Sequence, residues 1–143
     1  MELVDWHRVC SEFLHLAVAF VLTAVIGWNR EQEGHNIGIR AFPIVGTASC
    51  AYLMISFSPQ ALQGLMAGIG FVGGGAIVKE GITTHGTATA ASVWCAGAIG
   101  GAVATDHWTI AVMVMGLNLL ALRGLAPLKA RLDKVEGKSI GDS

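Results

Sequence analysis

The feature that most constrains this chain is a succession of long apolar stretches with little between them. A helix that crosses a bilayer needs about 20 mostly apolar residues, and roughly 17 can suffice. Five stretches qualify, at about 9–28, 37–57, 61–78, 86–105 and 108–127. The breaks are short and polar: EQEGHN, SPQ, KEGITTH and TDH. Strands of a closed membrane barrel would instead alternate apolar and polar residues over about ten positions. The runs here are continuous, so the expected fold is an all-α bundle of about five membrane helices.

Composition agrees. Hydrophobic residues make up 53% of the chain and charged residues 13%, against about 25% charged in an ordinary soluble domain. The 143 residues suffice for one domain, expected to comprise a membrane part over 1–128 and a short basic tail over 129–143. The net charge of −1 offers no basic surface for nucleic acid. The three cysteines, Cys10, Cys50 and Cys95, are odd in number, and the last two lie in apolar runs, so they read as packing residues. The opening MELVDWHR is acidic and polar, unlike the basic start of a cleavable signal, so the first run is expected to stay as a span.

The distribution of charge predicts an orientation. With five crossings, Arg30, Arg40, Lys79, Arg123, Lys129, Arg131, Lys134 and Lys138 fall on one side, eight of the nine basic residues, and only Arg8 on the other. Cytoplasmic segments attract Lys and Arg. The N-terminus is therefore expected outside, the C-terminus inside, and the stretch GWNREQEGHNIGIR, residues 27–40, on the cytoplasmic face.

Several features within this frame are candidates for function. Arg30, Glu31 and Arg40 stand at the membrane boundary, where charge must snorkel or pair. Gly27, Gly34 and Gly38 punctuate them, and a paired cluster that pins the first two helices is expected. In the third run, Gly64 and Gly68 are four apart, as are Gly70 and Gly74, and Gly73, Gly74 and Gly75 are consecutive. Two readings stand: a tight helix crossing, or a kinked helix whose freed carbonyls line a polar pathway. The fourth run begins with Thr83 or Thr84 as a cap and places Thr87, Thr89 and Ser92 near one end, to bond the preceding turn, a neighbouring helix, or an anion or substrate at the helix N-terminus. His15 and Asn118 read as hydrogen-bonding groups inside the bundle. Glu31, Glu33 and Glu80 share the cytoplasmic side, but the nearby arginines and Lys79 would repel a cation, so no metal site is expected. Neither H-E-x-x-H nor G-x-S-x-G occurs, and no nucleophile has a plausible base, so no enzymatic activity and no cofactor are expected.

Four segments then appear in order: Gly27-Trp-Asn-Arg30-Glu31, Gly38-Ile-Arg40, Gly68-Ile-Gly-Phe-Val-Gly-Gly-Gly-Ala-Ile77 and Gly86-Thr-Ala-Thr-Ala-Ala-Ser-Val-Trp94. Together they resemble the membrane domain of the MgtC/SapB family over about residues 13–125. The sequence departs from the family pattern at Ile37, Ala41, Ser58-Pro-Gln60, Gly64, Gly74 and Thr87-Ala88. Many family members continue into a cytoplasmic C-terminal domain, where KARLDKVEGKSIGDS reads as a solvated tail that meets anionic headgroups. The resemblance implies a bacterial inner-membrane protein linked to low magnesium and, in some pathogens, to survival in host cells. It implies a regulator of another membrane protein, the F-type ATP synthase in the namesake branch. The alternative reading is a transporter or channel lined by the glycine-rich third helix. Small-residue helix faces imply a homo-oligomer.

Overall fold

A computed structural model of the chain describes residues 5–32, 38–80, 83–125 and 127, with the side chains of 78–80 and 83–85 outside that description. Glu33, Gly34, His35, Asn36, Ile37 and the tail residues Lys129, Arg131, Lys134 and Lys138 lie outside the described residues, as do the side chains of Lys79, Glu80, Thr83 and Thr84.

Among the described residues the chain forms five helices: α1 (Trp6–Gln32), α2 (Ala41–Ile55), α3 (Pro59–Gly74), α4 (Thr87–Ala104) and α5 (Trp108–Gly124). A short antiparallel hairpin, β1 (Val78–Glu80) and β2 (Thr83–His85), joins α3 to α4. By length and composition α1 and α4 suffice to cross a membrane, while α2 and α5 are shorter apolar helices.

Local chemistry explains the boundaries. The second apolar run starts in the sequence at Ile37, but α2 starts at Ala41 with Arg40 as its N-cap residue. Pro43 lacks an N–H, and its ring is tolerated only in a first turn, where that donor would be unpaired anyway. At α3 the Ser58 hydroxyl accepts from the Ala61 N–H at 3.1 Å, and Pro59 follows at the first helical position. The triple glycine ends α3: the helix stops at Gly74, and Ala76 N–H and Ile77 N–H bond back to Gly73 and Gly74 in a tighter turn. The third helix thus finishes four residues before the expected Val78, because glycine resists continued helix. Thr83 and Thr84 do not cap α4. They lie in β2, and Gly86 occupies the cap position at φ +85°. A Cβ at Gly86 would collide with the Ala76 carbonyl group, so conformation and space both demand glycine there.

The helices assemble around α4, which touches each of the other four. It is apolar or small on every face, with most of its surface covered by its neighbours and Ala91, Trp94 and Ala98 left exposed. Gly46 and Gly100 let α2 and α4 approach backbone to backbone, and the Thr23 side chain of α1 lies over Gly46. The Ile69 side chain of α3 fills the place of a side chain at Gly97. The buried set includes Thr23, Asn29, Ser49, Thr89, Ser92 and Asn118, whereas Phe13, Ile55, Phe71, Met113, Leu117 and Leu120 are exposed. Phe71 is 85% exposed. The core also holds Ile26, Phe42, Val93, Ile99 and Val103, so small, polar and apolar groups share the interior while large apolar side chains also cover the outside, as a hydrocarbon solvent permits.

Candidate functional site

The segment that carries Arg30, Glu31 and Arg40 closes one end of the bundle. Gly27 makes the closure possible: a Cβ there would meet Ile39 Cα at 3.1 Å, the Gly38 carbonyl oxygen at 3.2 Å and Phe42 Cβ at 3.3 Å. Glu31 reaches back to this segment, and its Oε2 accepts from the Ile39 N–H at 3.1 Å. Its carboxylate also occupies the space that a Gly38 side chain would need. Arg30 is buried, with 2% of its surface exposed. Arg40 is exposed.

This geometry differs from the expected cluster in the Glu31–Arg40 pair. Among the described residues the ion pairs are Arg8–Glu12 and His15–Asp106, so Arg40 forms none with Glu31. Glu31 pins the start of α2 through a backbone N–H instead. The cap position of α2 turns the Arg40 side chain outward, where its charge is solvated.

A second tie at this end joins α1 to α5. The Asn29 amide, with its oxygen turned toward α5, accepts from Arg123 Nε at 2.9 Å and from Arg123 Nη2 at 3.2 Å. Asn29 is buried and Arg123 exposed. In the sequence Arg123 counts only toward orientation, and Asn29 carries no assigned role. The available signal was an amide between Gly27 and Arg30, together with a basic residue in the last turn of the last helix. Their distance along the chain hid the pairing.

The glycines of α3 do not behave alike. Gly73 packs on α4, where a Cβ would lie 3.2 Å from the Ala90 carbonyl oxygen. Gly70 faces the Trp94 ring at 3.8 Å, and Gly75 caps the helix. Gly64, Gly68 and Gly74 meet nothing within 4 Å. The helix is continuous through Gly64, Gly68 and Gly70 and gives way to the tighter turn only at the triple glycine. Apolar grooves of about 460 and 520 Å³ flank it, one against Trp94 and Gly97, the other against Val45 and Tyr52.

On α4, Thr87 is exposed while Thr89 and Ser92 are buried. Ser92 Oγ faces both candidate acceptors, the Ala88 carbonyl oxygen at 2.9 Å in its own helix and Asn118 Oδ1 at 3.3 Å on α5. Asn118 thereby joins two helices. At the far end of the bundle, His15 Nδ1 lies 2.7 Å from the Ser11 carbonyl oxygen and Nε2 lies 3.0 Å from Asp106 Oδ1. The ring also lies against Trp108, tilted by 44° with centroids 4.8 Å apart. Asp106 reaches His15 from a left-handed backbone, at φ +60°. Among the described residues no group of three His, Cys, Asp or Glu side chains is placed to hold a metal ion, and the three cysteines are free.

Comparison with known proteins places this architecture. An uncharacterized Synechocystis protein, slr0014, is 32% identical over 87% of this chain and 55% of its own length. Protein SrpB of Synechococcus elongatus is 28% identical over 87% of this chain and 79% of its own. Protein MgtC of Brucella abortus is 32% identical over 80% of this chain and 53% of its own. The chain thus spans about half the length of the Synechocystis and Brucella relatives. No solved structure matches it. The profile of the MgtC family matches residues 16–131, a span that holds all five helices except the start of α1, and the chain belongs to that family of membrane proteins.

Proposed function

We propose that this protein is an MgtC/SapB-type protein of the bacterial inner membrane that acts by binding and restraining another membrane protein. In this reading all five helices cross the bilayer, the N-terminus is outside, the C-terminus is inside, and the Arg30–Arg40 end is cytoplasmic. The positive-inside asymmetry supports that orientation. The process served is adaptation to low magnesium or envelope stress. The name MgtC borne by the Brucella relative suggests the magnesium link. The F-type ATP synthase, the partner implied for the namesake branch, is the first partner to test. The protein works without catalysis or cofactor, as a homo-oligomer.

The observation that carries binding over conduction is the closed centre of the bundle. Gly46 and Gly100 bring the backbones of α2 and α4 together there, and Thr23 covers the contact. The grooves beside α3 are apolar and lie on the flanks. A specific observation favours the transporter alternative: the hydroxyls of Thr47, Ser49 and Thr89 are buried with no hydrogen-bond partner, and such groups suit a path that polar solutes visit.

Two measurements separate the readings. Tagged protein purified from native membranes should carry a stoichiometric membrane partner. The same protein alone in proteoliposomes should move no ion across a panel that includes Mg²⁺, K⁺ and H⁺. Flux together with the lack of any partner would refute the regulatory reading. A reporter fused after Ser143 tests the orientation, since it should be active only in the cytoplasm.

A further inference from the structure

A groove of about 370 Å³ runs between α1 and α5, lined by Phe20, Val21, Ala24, Val25, Trp28, Leu119 and Arg123. Its α1 residues recur at the spacing of one helix face, so the groove follows the helix axis. From Phe20 to Trp28 it extends about 12 Å at 1.5 Å per residue. Its walls are apolar along this length. Its polar groups are gathered at one end, where Trp28, 57% exposed, stands with Arg123. Trp and Arg at such a boundary are the residues that meet headgroups.

The Arg123 guanidinium is held in place, and among the described residues no carboxylate compensates it. Asn29 holds it through Nε and Nη2, yet an amide is neutral and leaves the positive charge intact. Among the described residues Arg123 forms no ion pair. A guanidinium carries five N–H donors, so three remain for another acceptor. A cation held in place at the head of an apolar channel is complementary to one kind of molecule: an anion with a hydrocarbon chain attached.

We infer that the α1–α5 groove is a binding site for one anionic phospholipid, with its phosphate on Arg123 and an acyl chain along Phe20, Ala24 and Leu119. Asn29 is the positioning residue, which aims the guanidinium at the headgroup. This site is independent of whether the protein regulates or transports, and it requires only that the protein resides in a bilayer.

Native mass spectrometry of the intact protein from nanodiscs tests it, with phosphatidylglycerol and phosphatidylcholine of matched chains in equal amounts. The wild type should retain phosphatidylglycerol preferentially. Arg123→Gln should reduce that preference by roughly tenfold, the effect of about one charge-assisted contact. Arg123→Lys should keep a part of it. Ala24→Trp, which fills the groove and leaves the cation alone, should also abolish retention, and it serves if Arg123→Gln does not fold. Arg8→Gln, at the far end, should leave it unchanged. Equal retention of the two lipids by the wild type would overturn the proposal. So would undiminished preference in Ala24→Trp, which would reduce the contact to charge on the surface.

Discussion

Replacing Gly100 with alanine tests the central packing most directly. The new Cβ would lie 2.9 Å from Ser49 Cβ and 3.0 Å from Cys50 N, and closer still to the Gly46 carbonyl oxygen. Carbon atoms rest at about 3.5–4.0 Å, so α2 and α4 must separate by at least about 0.6 Å. A gap of that size forfeits about a quarter of the attraction of every atom pair along the crossing. Overpacking of this kind costs about 1–3 kcal/mol, and the clash here is with backbone, which cannot rotate away. Alanine returns about 1 kcal/mol of helix propensity. The net expectation is a loss of up to about 2 kcal/mol. Gly64→Ala and Gly68→Ala supply the control, since both meet open space and keep only the propensity gain. Thermal unfolding in detergent, followed by circular dichroism, should rank Gly68→Ala at or above wild type and Gly100→Ala below it. If Gly100→Ala unfolds at or above the temperature of Gly68→Ala, the backbone contact is not what closes the bundle.

Other expectations follow from the ends of the bundle. Gly86→Ala should destabilise the protein by more than about 1 kcal/mol, because it combines a left-handed backbone with a collision at Ala76; the same unfolding assay reads it. Asp106→Gly should be more stable than Asp106→Ala by about 1 kcal/mol, since both lose the bond to His15 but only glycine accepts φ +60° without strain. Glu31→Gln should be milder than Glu31→Ala, because its amide oxygen still accepts the Ile39 N–H. Proteolysis near residues 38–40 would report the difference. Arg40→Gln should leave the unfolding temperature unchanged, as an exposed side chain without an ion pair predicts.

Much of the architecture was legible because a bilayer leaves few choices. Apolar length alone located all five helices, and the family motifs fell on their ends. Glycine packing was not legible in the same way. Spacing announces that a helix has a narrow face, but it does not say which helix approaches. Gly64 and Gly68 have the expected spacing and face open space, whereas Gly46 and Gly100 drew no notice and form the closest crossing. Charge pairing failed for a related reason. Glu31 and Arg40 are near in sequence, yet a backbone N–H lay nearer to the carboxylate than the guanidinium did. Asn29 and Arg123 meet only because α5 returns beside α1. Asn118 was legible, since an amide in the middle of an apolar helix must find a partner, and Ser92 supplies it.

The central place of α4 has a consequence for how the chain is made. Synthesis delivers α1, α2 and α3 to the membrane before α4 exists. At that stage Gly46 has Thr23 over it but nothing on the side that Gly100 later covers, and Ile69 has no Gly97 to fill. α3 has little hold on α2 and none of the depth of contact that α4 will give both. α1 and α2 pack on each other extensively without α4, so α3 is the loosely held one of the three. The arrival of residues 87–104 gives α3 its main packing partner and covers the α1–α2 pair. The interval between the third helix and the fourth is therefore when the face of α3 that later meets α4 stands open to other membrane components.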